Sequence, residues 1–394
     1  MELDYRPFDA DNHYYEPLDA FTRYQDPSTR HRGVEVVSDG KRTYILLAGR
    51  VSRFIPNPTF DPVIVPGCTE MWFRGQIPDG VDPKSLMQVE PIHPEYRDRD
   101  VRLQVLEQQG LTAALLFPTL GVGVEHGLRH DPEAASWAIT AFNRWLEDDW
   151  GFAHQNRLFG VPLLSLADPD AAARELDSLL ARGARMVHVR PAPVPSATGP
   201  RSLGHPAHDP IWARLAEANV PVGFHLGDSG YMSQVAAWGG RAEFEPFGKR
   251  DPIEGIIVDD RAIHDTMASM IVHGVFHRHR ALRAASIENG SDWIAPLIKR
   301  MRKKANQDPS SFPEDPADTL RRHVWVTPYY EDDLARLADT IGVERILFGS
   351  DWPHGEGLAE PLQFTKELAG FTPEQTRRIM RDNVLELLGN VTVD

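Results

Sequence analysis

The stretch LFGVPLLSLADPDAAARELDSLLARGARMVHVR, Leu158–Arg190, reads as strand, helix, strand. Leu158–Leu164 is an apolar run of strand length. Asp168 opens a helix that runs to Ala181 and stops at Gly183, the residue type that most readily ends a helix. Met186–Val189 follows as a second apolar run. Two strands joined through a helix are parallel members of one sheet.

The same alternation continues outward on both sides. Upstream lie a short strand near Pro7–Asp11, a helix over Arg97–Gln109 closed by Gly110, a strand over Leu111–Phe117 and a helix over Asp131–Asp149. Downstream come the helix Asp209–Ala218, the strand Val220–His225, the helix Asp260–Phe276 and the strand Leu282–Ile287. The helices Ser291–Ala305 and Pro316–Arg321, the strand Val324–Thr327, the helix Glu331–Thr340, the strand Arg345–Gly349 and the helix Glu374–Leu388 complete the series. Eight strands alternating with helices predict an α/β fold, a (β/α)8 TIM barrel, whose closure leaves no strand edge unpaired. An open doubly wound sheet is the alternative. It would carry a glycine-rich phosphate turn after its first strand, and Asp11–Tyr15 contains no glycine.

One segment breaks the rhythm. Residues Asp26–Pro94 are rich in proline and glycine and read as an irregular insertion after strand 1, with a hairpin over Thr43–Ile55. The expectation is a single barrel domain over residues 1–394 with residues 26–94 inserted within it as an active-site cover.

Composition sets the class. Hydrophobic residues make up 41% of the 394 and charged residues 25%, which suits a buried core and excludes disorder, collagen and coiled coil. A formal charge of −15 disfavours a nucleic-acid partner, which needs clustered Lys and Arg. Cys68 is the one cysteine, so no internal disulfide forms, as in a reducing cytoplasm. MELDYRPFDADNHYYEP has neither the basic nor the apolar region of a signal peptide. No apolar run approaches the about 18 residues of a membrane span. The expected partner is a small-molecule substrate, with no nucleic acid and no membrane. A homodimer is an allowed assembly and the cytoplasm the expected compartment.

In a barrel the chemistry sits at the C-terminal ends of the strands. Strand 1 ends in Asp9-Ala-Asp11-Asn-His13, with Glu16 one turn on. Strand 4 ends in His188 and Arg190, strand 5 in His225 and then Asp228, and strand 6 in Glu288-Asn289. Strand 7 ends in Thr327, then Tyr329, Tyr330 and Glu331; strand 8 ends in Ser350-Asp351, then His354 and Glu356. Residues i and i+2 of a strand point to one side, so Asp11 and His13 can chelate one ion. His225 and Asp351 would complete a mixed nitrogen and oxygen set that suits zinc first, manganese next, and has too much imidazole for calcium or magnesium. Glu16 is placed to join the ligands or to orient His13. His126, His154, His273, His277 and His279 fall in loops or helices and read as structural or solvated.

Several stretches resemble the amidohydrolase superfamily, in the amidohydrolase 2 branch that holds aminocarboxymuconate-semialdehyde decarboxylase. They are DADNHYYEP (Asp9–Pro17), GLTAALLFPT (Gly110–Thr119), NRWLEDDWGF (Asn143–Phe152), RLFGVPLLSLADPDAAARELD (Arg157–Asp177), VPVGFHLGD (Val220–Asp228) and ILFGSDWPHGEG (Ile346–Gly357). The resemblance implies the barrel, a divalent metal, and a hydrolase or carboxy-lyase activity. His13 takes the second histidine of the family's strand-1 His-x-His motif. Asp11 stands where most members have the first, and where relatives that decarboxylate aromatic acids have Glu. His225 takes the strand-5 ligand position and Asp351 the strand-8 position. The sequence departs from the family on strand 6, where SIENG carries Glu288 in place of a catalytic histidine. MVHVR supplies no strand-4 lysine, so one metal is expected rather than two.

The function expected from these residues is a metal-dependent hydrolase of a small organic substrate. A mononuclear divalent metal activates water, and Asp351 serves as general acid/base. The catalytic residues are Asp351, His354 and Glu288, and the metal set is Asp11, His13, His225, Asp351 and Glu16. Substrate contacts fall to Arg190, His188, Tyr329, Tyr330 and Trp72, with Trp72, Phe73 and Arg74 as a lid. The alternatives are a non-oxidative decarboxylase of a small aromatic or enoic acid and a metal-free binding barrel.

Overall fold

A computed structural model provides the structure of the chain and describes residues 3–196, 198–245, 251–389 and 391–393. Outside the segment 26–94, the described residues form seven regular strands: β1 (Phe8–Tyr14), β2 (Ala113–Pro118), β3 (Leu158–Gly160), β4 (Val187–His188), β5 (Val222–His225), β6 (Ala284–Ile287) and β7 (Val324–Val326). They pair in parallel as β1-β2-β3 and as β4-β5-β6-β7.

Irregular bonds close the ring. At the β3–β4 seam the Leu164 N–H donates to the His188 carbonyl at 2.8 Å, and the His188 N–H to the Pro162 carbonyl at 2.8 Å. The eighth stave is Ile346–Phe348. Its Leu347 N–H donates to Val326 of β7 at 2.8 Å, and its Phe348 carbonyl accepts from Ala10 of β1 at 2.8 Å. Above it the His13 N–H reaches the Trp352 carbonyl at 2.8 Å and the Asp351 N–H reaches the Asp11 carbonyl at 2.9 Å. Eight staves thus make the TIM barrel that the alternation predicts. The staves are shorter than their apolar runs, because Leu111, Val220 and Leu282 lie beyond the ladders and are nonetheless buried.

The helices begin where the sequence places their caps. The Asp168 carboxylate accepts from the N–H groups of Asp170 and Ala171, and Asp131 from that of Ala134, each ahead of a proline in the first turn. The long helix expected over Asp260–Phe276 is two, Arg261–Val272 and Val275–Arg278. The last one, expected over Glu374–Leu388, is interrupted by a π-turn at Arg378–Asp382.

A bulge in β1 decides which of its residues face the barrel axis. The pairing with β2 shifts register between Asp9 and Asn12. Below the shift, Phe8 and Ala10 pack with Leu115, Phe117, Met186 and Ile287. Above it, Asp11 and His13 take the inward positions, because one extra residue re-phases the strand.

The inserted segment is more regular than its composition suggests. Val34–Ser38, Thr43–Leu47 and Arg50–Val51 form an antiparallel sheet, and Val63–Ile64 pairs with Val89–Glu90. The hairpin expected over Thr43–Ile55 is present as Thr43–Leu47 paired with Arg50–Val51, and Val34–Ser38 adds a longer upstream partner. The Asp39 carboxylate sets its turn by accepting from the Lys41 and Arg42 N–H groups, both at 2.8 Å. Apolar residues of the segment, among them Val34, Leu47, Phe60 and Val63, join the core around Phe142 and Trp145. Among the described residues no helix is long and apolar enough to cross a membrane.

Candidate metal centre

The ends of β1, β5, β6 and the eighth stave bring Asp11, His13, His225, Glu288 and Asp351 to one place. His225 Nε2 lies 3.1 Å from Glu288 Oε2, 3.3 Å from His13 Nε2 and 3.4 Å from Asp11 Oδ1. His13 Nε2 is 3.3 Å from Asp11 Oδ1, 3.3 Å from Asp351 Oδ1 and 3.7 Å from Glu288 Oε2. The ligating atoms fall into two overlapping groups, Asp11-His13-His225-Glu288 and His13-Glu288-Asp351-His354.

Local backbone explains how two carboxylates turn inward. Glu288 and Asp351 both adopt left-handed backbone, with φ of 54° and 56°, a conformation that costs a non-glycine residue about 1–2 kcal/mol. Neighbouring strands hold each turn. The Glu288 N–H donates to Thr327 Oγ1 at 2.9 Å, and the Tyr329 hydroxyl donates to the Glu288 carbonyl at 3.0 Å. Gly290 completes the first turn at φ 59°, where a Cβ would lie 2.7 Å from the Tyr329 ring. The second is held by Asp9, whose carboxylate accepts from Ser350 N at 3.0 Å and Ser350 Oγ at 2.5 Å.

The donor set fits a divalent cation. Two ligands that share an ion at about 2.1 Å stand about 3.0–3.4 Å apart across octahedral to tetrahedral angles. The five donor separations of 3.1–3.4 Å around His225 and His13 match that spacing. The His225 Nδ1–H faces the Leu226 carbonyl at 2.7 Å, which leaves the Nε2 lone pair for the cluster. Asp11 Oδ1 is buried and makes no hydrogen bond. Burial, with His354 and His225 alongside, holds His13 well below its usual range and therefore neutral. Burial pushes Glu288 up, helped by the charges of Asp351 and Asp11; it also pushes Asp351 up, helped by Glu356 and Asp11. Buried carboxylates crowded in this way call for a cation.

Asp351 and His354 form a pair backed by a hydroxyl. His354 Nδ1 lies 2.6 Å from Asp351 Oδ1, and His354 Nε2 lies 3.0 Å from Thr119 Oγ1. The Thr119 hydroxyl spends its one proton on the Tyr14 carbonyl at 2.8 Å, so toward His354 it accepts. His354 Nε2 therefore carries hydrogen, and its Nδ1 faces Asp351 Oδ1, the place where the pair can hold one further proton. Thr119 escaped the sequence reading, although it directly follows strand 2 and so stands at a stave end.

Other expected site residues are placed differently. The Glu16 carboxylate is occupied by the backbone N–H groups of Leu120 at 3.0 Å and Gly121 at 2.9 Å and lies outside both ligating groups. Arg190 donates to the carbonyls of Ser229 and Pro193, both at 3.2 Å, and its Nε stands 3.4 Å from Glu125. The Tyr330 hydroxyl is spent on the Glu356 carbonyl. His188 is buried with its ring 6.4 Å from that of His225. Trp72 is exposed on the short helix Glu70–Phe73 of the insertion. The same segment touches the site loops: Gly67 N donates to the His354 carbonyl at 3.0 Å, Thr69 N to that of Gly355 at 2.9 Å, and the Arg74 guanidinium lies 4.4 Å from the Tyr330 ring centre.

The amidohydrolase family model matches residues 92–389. An amidohydrolase from Mycobacterium avium subsp. paratuberculosis K-10 is 59% identical, over 98% of this chain and 99% of its own, with a TM-score of 0.95. The 5-carboxyvanillate decarboxylase of Novosphingobium aromaticivorans DSM 12444, complexed with manganese, is 16% identical over 98% of this chain and 96% of its own, with a TM-score of 0.60. A 2,6-dihydroxybenzoate decarboxylase from Rhizobium is 17% identical over 74% of this chain and 88% of its own, with a TM-score of 0.53. The two decarboxylases share the fold.

Proposed function

The chain belongs to the amidohydrolase family, and on that premise we propose that it hydrolyses a small, uncharged organic substrate at a mononuclear divalent metal centre. The observation that carries this reading is the convergence of Asp11, His13, His225 and Glu288 next to the Asp351–His354 pair. Those four residues, together with Asp351 whose Oδ1 stands 3.3 Å from His13 Nε2, would hold the ion; the mixed imidazole and carboxylate set suits zinc or manganese. When bound, the ion supplies Lewis-acid polarisation of a substrate oxygen and activation of water.

The protein's own groups handle the proton. Asp351 takes it from water, the pair shares it between Oδ1 and His354 Nδ1, and His354 or Asp351 returns it to the leaving group. Thr119 keeps the His354 ring oriented for that exchange. Charge argues for a neutral substrate. Asp11, Glu288, Asp351 and Glu356 crowd the site. Three guanidinium groups around the site are engaged: Arg102 by the Asn12, His13 and Glu95 oxygens, Arg190 by carbonyls and Glu125, and Arg74 by Glu70 and Glu367. The inserted segment is read as a cover over this mouth, on the strength of its bonds to His354 and Gly355.

Decarboxylation is the second reading. Asp11 favours it, as a carboxylate at the first strand-1 position. The test is parallel turnover by metal-reconstituted protein of uncharged esters, lactones and amides and of small aromatic and enoic acids, with CO₂ measured throughout. Hydrolysis of neutral compounds without CO₂ is the expected result. CO₂ release from the acids, with no hydrolysis, overturns the hydrolase reading in favour of the carboxy-lyase.

A further inference from the structure

Beside the metal centre lies a buried polar chain whose members belong to neither ligating group. Asp9 is wholly buried and its carboxylate takes four donors: Ser350 N at 3.0 Å, Ser350 Oγ at 2.5 Å, Asn12 Nδ2 at 3.0 Å and Asp11 N at 3.2 Å. Asn12 turns its amide oxygen to Arg102, whose Nη1 donates to it at 2.7 Å and to the His13 carbonyl at 2.7 Å. Arg102 is itself wholly buried. Its Nε donates to the Glu95 carbonyl at 2.8 Å, and its guanidinium lies 4.4 Å from the Trp352 ring centre and 5.4 Å from that of Trp150. A carboxylate and a guanidinium are thus linked through one amide side chain, all three out of water.

Several contacts of this chain fall on, or one residue away from, backbone that carries a candidate donor. Asp9 bonds the N–H of Asp11 and caps the turn that puts Asp351 in left-handed backbone. Arg102 bonds the carbonyl of His13 and stacks on Trp352, the residue after Asp351. The β1 bulge between Asp9 and Asn12 is spanned by the Asn12-to-Asp9 bond.

We propose that Asp9 and Arg102, joined through Asn12, are positioning residues of the metal centre: they lock the β1 bulge to the Ser350–Asp351 turn, so that donors from opposite ends of the chain meet at one point. The inference rests on the metal-site reading above. Outer-shell partners that orient metal ligands are each worth about 10–100-fold in affinity. A purely structural role would lower stability without a matching loss of metal affinity.

The test is cobalt(II) binding to the metal-stripped full-length protein, by chelator competition and by the visible absorption of the bound ion. Wild-type protein comes first; if it binds no cobalt, zinc or manganese, the metal-site reading itself fails, independently of this inference. Given wild-type binding, Ser350→Ala and Arg102→Met should each lower cobalt affinity about 10–100-fold and alter its absorption bands. Arg102→Lys should recover part of that affinity by restoring a donor to the His13 carbonyl. Asn143→Ala serves as the control: it breaks a buried side chain's bonds to the Leu163 backbone and to Glu175, none of which belongs to either ligating group, and should leave cobalt affinity unchanged. Ser350→Ala deletes one hydroxyl and keeps the test decisive if Arg102→Met does not fold. Ser350→Ala binding cobalt within threefold of wild type with an unchanged spectrum overturns the proposal. So does an affinity loss in Asn143→Ala equal to that in Ser350→Ala.

Discussion

Replacing Glu288 by Gln separates a metal donor from a mere neighbour of the site. The substitution is isosteric and keeps the left-handed backbone at φ 54° no more strained than before. The Tyr329 and Thr327 contacts go to the residue's backbone and survive. What is lost is a charged oxygen 3.1 Å from His225 Nε2 and 3.7 Å from His13 Nε2. Outer-shell losses cost about 10–100-fold in metal affinity, so a group in the donor set itself should cost at least about 100-fold, or about 2.7 kcal/mol. In the metal-free protein the sign reverses. Burial, with the charges of Asp351 and Asp11, pushes the Glu288 carboxyl up, so at neutral pH its ionisation opposes folding. Metal-free Glu288→Gln should therefore be as stable as wild type or more so. At free zinc equal to about 1,000 times the wild-type Kd, wild type gains about 4.1 kcal/mol of stability. A variant bound about 100-fold more weakly gains about 1.4 kcal/mol. Chelator competition gives the affinities, and denaturant unfolding with and without metal gives the gains. Affinity within threefold of wild type would refute the assignment of Glu288 to the donor set.

Three further outcomes follow from the geometry. Asp351→Asn, a change that left-handed backbone tolerates, should fold, keep part of its metal and lose at least about 100-fold in turnover; near-normal turnover would reduce Asp351 to a ligand. Gly67 has φ 70° and its missing Cβ would stand 2.5 Å from the Ala359 backbone nitrogen, so Gly67→Ala should cost about 1–3 kcal/mol in a denaturation midpoint, and an unchanged midpoint would show that the segment seats loosely. His188 is pushed down to about 3 by burial, with His225 and Arg190 alongside. The unfolded chain protonates this histidine near pH 6.5 and the native state only near 3, so its contribution is intact above pH 6.5 and is lost as pH falls. From pH 6 to pH 4 the stability of wild type should fall more steeply than that of His188→Gln by about 1.4 kcal/mol per pH unit; equal slopes in urea unfolding would contradict it.

Which parts of this centre can be read without coordinates depends on the range of the interaction that places each residue. Asp11 and His13 are legible because a strand's two-residue period is local. His225, Glu288 and Asp351 are legible as stave ends because the alternation of strands and helices spans the whole chain. The grouping among them is not. Glu288 meets His225 and His13 only because Thr327 and Tyr329, some 40 residues on, hold its turn, as the bonds at separations of 39 and 41 positions record. Asp351 meets His354 through a turn whose Ser350 N–H is capped by Asp9, 341 positions from Ser350. Glu16 shows the converse: its spacing from His13 suits a ligand, yet the N–H groups that engage it come from Leu120 and Gly121, and no local pattern announces them. The β1 bulge shifts Asp9 out of phase with Asp11 and His13, which strict alternation would have set on one face. Spacing therefore nominates the donors, and long-range hydrogen bonds to backbone decide which of them point at one ion. That is why the decisive comparison is between variants that remove a donor, such as Glu288→Gln, and variants such as Ser350→Ala that remove only what aims it.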